Sequence, residues 1–180
     1  MNIAVFGSAK AKPDSQLYQD SVLLGRLLGE RGHTILTGGY SGTMEAISKG
    51  ASEAGAHVIG VTCKELEDFR GAKANQWVAE EWKHDTLDDR LNALIEGGDG
   101  AAIALPGGAG TLAEIIMLWN RMITKGLPRR PFVIVGKDWE KVLTTFLDAQ
   151  SVYMDSNAAD FLLFAENVEQ AVVKLLDHQA

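Results

Sequence analysis

Residues 101–114 read AAIALPGGAGTLAE: an unbroken apolar run, then a proline and three glycines, then the beginning of a second apolar pattern. The apolar run at residues 101–105 is typical of a strand that is buried on both faces, as in parallel sheets. The segment that follows, residues 111–125, has the length of a helix and stops at Gly126. A buried strand that passes through a tight turn into a helix is the repeating unit of a parallel α/β sheet.

The same alternation of strand and helix continues along the chain. Short apolar runs bounded by Gly, Pro or Asp predict further strands at residues 3–6, 34–37, 58–61, 132–135 and 161–164, and a less apolar one at 77–82. Segments of helical length predict helices at residues 17–31, 41–54, 86–96, 139–150 and 168–177. This alternation predicts an α/β fold, a doubly wound parallel sheet with helices on both faces. Because no internal repeat or long linker divides the chain, residues 1–180 are predicted to form one domain.

The composition narrows the class of protein. A chain of 180 residues with 46% hydrophobic and 23% charged residues is typical of a soluble globular domain. The net charge of -7 argues against a surface for nucleic acid or for an anionic membrane, because both need a basic stripe. No apolar run reaches the roughly 20 residues of a membrane helix, and no secretory signal is expected. The single cysteine, Cys63, suits a reducing compartment, so a cytoplasmic location is predicted.

Three of the predicted strand-to-helix turns are rich in glycine. In a parallel α/β sheet these turns lie at the carboxyl ends of the strands, where ligands bind. Glycine allows the backbone to approach a ligand closely. None of the three turns has the G-x-G-x-x-G or the G-x-x-x-x-G-K-[ST] pattern, so dinucleotide and ATP sites of those types are not expected. The candidate phosphate-binding residues in the three turns are Gly7, Ser8, Gly38, Gly39, Gly107, Gly108, Gly110 and Thr111.

The third turn combines glycine with a hydroxyl and a carboxylate. Gly110 and Thr111 are predicted to begin the helix, where free N–H groups and the helix dipole attract a phosphate, and the Thr111 hydroxyl can cap the helix or bind the phosphate. Glu114 follows three residues later, on nearly the same helix face. It is either a catalytic acid beside the phosphate or a first-turn glutamate that stabilises the helix dipole or forms a capping box with Thr111.

Residues 106–114, PGGAGTLAE, resemble the P-G-G-x-G-T-x-x-E signature of the LOG family. Members of this family are nucleoside 5′-monophosphate phosphoribohydrolases, formerly described as lysine-decarboxylase-like. The resemblance extends over about two-thirds of the chain, and it includes residues 5–15 (VFGSAKAKPDS), 37–62 (TGGYSGTMEAISKGASEAGAHVIGVT) and 90–108 (RLNALIEGGDGAAIALPGG).

The resemblance implies a Rossmann-like fold, a homodimer, and a hydrolase that cleaves a purine nucleoside 5′-monophosphate (AMP or modified AMP) to free base and ribose 5-phosphate. It implies that the catalytic residues are Arg90 and Glu114. Glu114 would stabilise positive charge on the sugar and accept a proton from water, while Arg90 would bind phosphate or ribose oxygens or orient Glu114. No metal or redox cofactor is needed. The base is left open, because Leu91 and Met117 stand where the family usually has a lysine and a second glutamate.

Two alternative interpretations stay open. Considered without the resemblance, Arg90 is a surface residue paired with Asp88 or Asp89. Molybdenum-cofactor carrier proteins resemble this chain in fold and in their glycine-rich corners, so a non-catalytic carrier of a nucleotide or of that cofactor is the alternative function. The joint presence of Arg90 and Glu114 favours the enzyme, because a carrier need not keep both. The four histidines lack metal-ligand spacing, so no metal site is expected.

Overall fold

The computed structural model describes residues 1–178. The seven strands are β1 (Asn2–Phe6), β2 (Thr34–Thr37), β3 (Val58–Cys63), β4 (Glu80–His84), β5 (Ala101–Ala104), β6 (Phe132–Val135) and β7 (Leu163–Ala165). The seven α-helices are α1 (Gln16–Gly29), α2 (Thr43–Glu53), α3 (Lys64–Arg70), α4 (Leu87–Gly97), α5 (Ala109–Ile123), α6 (Lys137–Ala149) and α7 (Val168–Asp177). Two short 3₁₀ helices, Ser151–Tyr153 and Ala158–Phe161, connect α6 to β7. None of the helices in residues 1–178 is both long enough and apolar enough to cross a membrane.

The seven strands form one parallel sheet in the order β4-β3-β2-β1-β5-β6-β7. β1 lies at the centre, where Ile3 is the register partner of Ile35 on β2 and of Ala101 on β5. The chain moves outward from β1 to β4, crosses to β5, and then moves outward in the other direction. The predicted doubly wound α/β fold is therefore confirmed. Ligands of such sheets bind at the carboxyl ends of the strands where the order reverses, which here is between β1 and β5.

Helices cover both faces of the sheet, and successive residues of a strand enter two separate cores. Phe6 and Ile115 belong to the core under α4, α5 and α6, whereas Val5 and Leu24 belong to the core under α1, α2 and α7. Burying a large apolar side chain contributes about 1.5–3 kcal/mol. Because both faces are packed in this way, the strands that carry the glycine turns are held firmly in place.

The prediction misses one α-helix and displaces two strands. α3 was missed because none of its residues is buried, so it lacks the apolar periodicity that marks a helix. β4 lies at Glu80–His84 rather than at 77–82, because this edge strand is mostly exposed and carries little apolar signal. The strand predicted at 161–164 is displaced, because Ala158–Phe161 forms a 3₁₀ helix and β7 begins at Leu163.

Candidate active site

The three glycine turns follow β1, β2 and β5, which are neighbours at the centre of the sheet. The turns after β1 and β2 also contact each other directly, because the backbone N–H of Thr43 donates to the Ser8 carbonyl at 2.9 Å. A Cβ at Gly7 would overlap the Thr43 hydroxyl, and Gly42, at φ 73°, approaches the Ser8 carbonyl so closely that a side chain there would collide with it. The structure therefore brings the predicted phosphate-binding turns to one edge of the sheet.

The third turn leads into α5 two residues earlier than predicted. α5 begins at Ala109 with Gly108 in the N-cap position, so Thr111 is the third residue of the helix and does not cap it. The reason is steric: Thr111 is buried, and its side chain fills the space under Gly107, where a Cβ would overlap it. Within residues 1–178, no side chain caps α5. Its first turn also lacks acidic residues, whose charge would repel an anion. The N–H groups at the start of α5 therefore stay available to an anion.

Glu114 lies beyond the first turn of α5 and is only 8% exposed. The interpretation of Glu114 as a first-turn or capping-box residue is therefore wrong, because α5 begins earlier than predicted and turns this side chain inward. No group in the described part of the chain donates a hydrogen bond to the carboxyl, and Arg90 Nη1 lies 4.0 Å from Glu114 Oε1. Burial raises the Glu114 pKa to about 7, although the positive charge of Arg90 lowers it. Glu114 is thus a buried acid that titrates near neutral pH, as catalytic groups often do.

Arg90 extends from α4 across the ends of β2 and β3 and is 6% exposed. Its Nε donates to the Val61 carbonyl at 2.7 Å, and its Nη2 donates to the Gly38 carbonyl at 3.2 Å. The surface interpretation of Arg90 is therefore wrong: the side chain is held by backbone carbonyls. Asp89 accepts a hydrogen bond from Thr86 instead. Nη1 remains directed at Glu114, beyond hydrogen-bond distance.

Gly38 lies against the guanidinium of Arg90. A Cβ at Gly38 would overlap Arg90 Nη2, so the absence of a side chain is what lets the guanidinium reach the Gly38 carbonyl. Gly39 has φ 78°, in the left-handed region that favours glycine, and its N–H is bonded to the Thr37 hydroxyl. The predicted role of these two glycines in binding phosphate stays a prediction, and the geometry adds a role in seating the arginine.

Two residues at the site were not predicted. The Tyr40 hydroxyl is bonded to the backbone of Cys63, and Arg90 Cζ lies 5.6 Å from the Tyr40 ring centroid. Asn75 donates from its side chain to the carbonyls of Gly39 and Tyr40, both at 3.0 Å. The only sequence signal for Tyr40 is an aromatic residue among the glycines at 38–42. Nothing near Asn75 in the sequence marks that residue.

A cavity of about 380 Å³ lies beside the third turn, on the side away from Arg90. Pro106 and Gly107 form one wall, and residues at the end of β6 and the start of α6, including Trp139, form the other. Within residues 1–178, no three His, Cys, Asp or Glu side chains are grouped in a way that could hold a metal ion.

Comparison with known proteins identifies a family and several similar solved structures. A family model described as the SLOG cluster4 family matches residues 1–158. The cytokinin riboside 5′-monophosphate phosphoribohydrolase LOG of Oryza sativa subsp. japonica is 30% identical over 181 residues, which cover 96% of this chain and 71% of that protein. The corresponding LOG4 enzyme of Arabidopsis thaliana is 30% identical over 184 residues, 98% of this chain and 82% of that protein.

Among solved structures, the molybdenum cofactor carrier protein of Chlamydomonas reinhardtii has a TM-score of 0.70 and 25% identity, with 98% of each chain covered. The molybdenum cofactor binding protein of Rippkaea orientalis has a TM-score of 0.73 and covers 98% of this chain and 94% of its own, but at 23% identity it is evidence of shared fold alone. The family match and the near full-length relatives confirm the resemblance that PGGAGTLAE indicated. The chain therefore belongs to the SLOG cluster4 family, among the relatives of the LOG phosphoribohydrolases.

Proposed function

We propose that this protein hydrolyses the N-glycosidic bond of a purine nucleoside 5′-monophosphate, AMP or a base-modified AMP, to free base and ribose 5-phosphate. The observation that carries the proposal is the buried Glu114 carboxyl, which lies 4.0 Å from Arg90 Nη1 on the helix whose start is uncapped. The rice and Arabidopsis relatives are named for a reaction of this class.

The start of α5 is the proposed seat of the 5′-phosphate. Its first-turn N–H groups lack a capping side chain within residues 1–178, and the helix dipole adds partial positive charge there. Glu114 follows Ala109 by five residues, a rise of about 7–8 Å along the helix axis. A nucleotide bound by its phosphate would lay its sugar along these turns, toward Glu114, so that phosphate binding positions the bond to be broken.

The reaction breaks the bond between the sugar C1′ and a nitrogen of the base, and water supplies the oxygen that replaces the base. The electron pair of the broken bond and a proton go to the base, while positive charge develops on the sugar. In our proposal the Glu114 carboxylate stabilises this charge and takes a proton from the attacking water. Arg90 favours the ionised form of Glu114 against the effect of burial, and its Nη1 can donate to ribose or phosphate oxygens.

The enzyme assay is direct. Purified protein is incubated with AMP and with several base-modified monophosphates, and free base and ribose 5-phosphate are measured by chromatography. Release of both products in equal amounts supports the proposal, and the ranking of substrates identifies the preferred base. If every nucleotide is recovered intact under all conditions, the proposal is wrong.

Alanine at Gly108 or Gly110 is expected to weaken AMP binding at least about tenfold without destabilising the fold. Apart from its chain neighbours and the adjacent helix backbone, a Cβ at either position meets nothing within 4 Å, so the methyl group would occupy space that we assign to the phosphate. Binding is measured by calorimetry in the Glu114→Gln background, so that the ligand is not consumed. Gly126→Ala, after the far end of α5, is the matched control. Equal dissociation constants for all the variants would contradict the phosphate seat.

A non-catalytic carrier is the second candidate function, because the Chlamydomonas molybdenum cofactor carrier shares this fold at 25% identity. A carrier gains nothing from a buried acid whose ionisation is opposed by its surroundings, since burying such a group is costly. The same assay separates the two functions: a carrier binds a ligand tightly and returns it unchanged.

We also propose a homodimer, formed through an apolar surface on α5, α6 and the 3₁₀ helix Ser151–Tyr153. Val152 is 88% exposed and Tyr153 is 85% exposed, and Ile116 and Phe146 lie in the same surface. The side chains of Ile116, Phe146 and Tyr153 line a second cavity of about 240 Å³. Exposed apolar surfaces of this kind mark protein interfaces, and the resemblance to the LOG family favours a second copy as the occupant.

The variant Ile116→Glu/Tyr153→Asp is expected to sediment as a monomer, whereas the parent protein sediments as a dimer in analytical ultracentrifugation, because two charges would be buried in the interface. Val173→Asp, on the exposed face of α7, is the control and should leave the dimer intact. A parent protein that is monomeric, or a double variant that still dimerises, would overturn this interface.

A further inference from the structure

We infer that Tyr40 is a positioning residue, which holds the Arg90 guanidinium at its distance from Glu114. This inference rests on the proposed function of the Arg90–Glu114 pair. No contact joins Tyr40 to Glu114, so Tyr40 acts through Arg90 alone.

The Tyr40 side chain is fixed at both ends. It is only 5% exposed, and its hydroxyl accepts a hydrogen bond from the Cys63 N–H at 2.8 Å and donates one to the Cys63 carbonyl at 3.0 Å. The hydroxyl is therefore fixed to the end of β3. The ring then lies under the guanidinium, with Arg90 Cζ 5.6 Å from the ring centroid, within the range of a cation–π contact.

Asn75 holds the backbone of the turn that contains Tyr40. Its N–H donates to the Gly39 carbonyl at 2.8 Å, and its side-chain amide donates to the carbonyls of Gly39 and Tyr40. Asn75 comes from the segment between α3 and β4, which crosses the turn after β2. The Gly38 carbonyl, which accepts from Arg90 Nη2, lies two residues before Tyr40 in this turn. Anchoring the turn therefore also anchors one of the two acceptors of Arg90.

These contacts determine how strongly Arg90 acts on Glu114. Arg90 is the charged group that lowers the Glu114 pKa, in opposition to burial. The charged or titratable groups that act on Tyr40 itself are Cys63, Arg90 and Glu67. A guanidinium that moves away from Glu114 leaves the effect of burial unopposed, so the Glu114 pKa rises further. Loss of Tyr40 should therefore be visible as a change in the titration of Glu114, which a purely structural role for Tyr40 would not produce.

Tyr40→Leu removes both the ring and the hydroxyl. Its kcat is expected to fall about ten- to a hundredfold with little change in KM, because a misplaced catalytic group costs rate while the phosphate seat on α5 is unaltered. The acidic limb of its pH profile should move to higher pH. Tyr40→Phe keeps the ring over Arg90 and should restore most of the rate. Tyr18→Leu, a buried tyrosine on α1 (7% exposed), is the matched control and should leave both kcat and the profile unchanged.

The titration of the Glu114 carboxyl is also followed by ¹³C NMR, which requires no turnover. A higher Glu114 pKa in Tyr40→Leu than in the parent supports the inference even if the parent proves inactive on nucleotides, so failure of the proposed function and failure of this inference are distinguishable. If Tyr40→Leu does not fold, Asn75→Ala removes the two side-chain donors without adding a charge and should shift the same titration in the same direction. An unchanged Glu114 titration in a folded variant would overturn the inference.

Discussion

Replacing Glu114 with glutamine is expected to reduce the release of base from AMP by at least about a hundredfold, the scale on which removal of a general base lowers a rate. The glutamine has nearly the shape of the glutamic acid but neither accepts a proton from water nor stabilises positive charge on the sugar. The substitution does not touch the proposed phosphate seat at the start of α5, so binding of AMP should persist. The variant is compared with its parent in single-turnover experiments, which separate chemistry from binding.

Glu96→Gln is the matched control for this experiment. Glu96 lies on the exposed side of α4 and pairs with Arg121 at 2.7 Å, so its replacement changes the same chemical group away from the site. Its rate should equal that of the parent. A Glu114→Gln variant that retains more than about a tenth of the parent rate would show that Glu114 does not perform the proton transfer.

The same substitution is expected to change how stability depends on pH. The Glu114 pKa is raised to about 7 in the folded protein from 4.5, so the folded state holds a proton that the unfolded state releases. The parent therefore loses stability as pH rises from about 4.5 to about 7, and little more above that range. The raised pKa corresponds to a loss of about 3 kcal/mol in the free energy of unfolding between pH 4 and pH 8. The glutamine variant has no such loss, because glutamine does not titrate.

This prediction is measured by urea unfolding of the parent and of Glu114→Gln at several pH values. The two proteins should have similar free energies of unfolding near pH 4, and the variant should be the more stable by about 3 kcal/mol at pH 8. All other titrating groups are common to both proteins, so they cancel in the difference. A difference that is constant with pH would show that Glu114 titrates in the folded state as it does in the unfolded state.

The fold was predictable where local pattern and tertiary structure agree. Residues 34–37, 132–135 and 168–177 were placed correctly, because buried parallel strands and an amphipathic helix have strong periodic signals. α3 and β4 were missed or displaced because both are largely exposed and have little such signal.

Two of the residues that we place in the candidate site could be named from the sequence, but their contacts could not. Glu114 and Arg90 were found through the PGGAGTLAE resemblance, whereas their burial depends on partners far away in the chain. Arg90 bonds across 29 residues to Val61 and across 52 residues to Gly38. No local pattern encodes such pairings. Tyr40 was missed for the same reason, because its significance appears only when β3 and α4 are brought beside it.

Both hydrogen-bond acceptors of Arg90 are main-chain carbonyls. Almost any residue type at position 61 would present the same oxygen, so the side chain at that position is free to change without removing this acceptor of Arg90. Substitution at position 61 should therefore leave this acceptor in place, whereas Tyr40, whose ring lies under the guanidinium, does not have the same freedom to change. Saturation mutagenesis that seeks new substrates for the proposed activity should spare both Tyr40 and Gly38, because a side chain at Gly38 would overlap Arg90 Nη2.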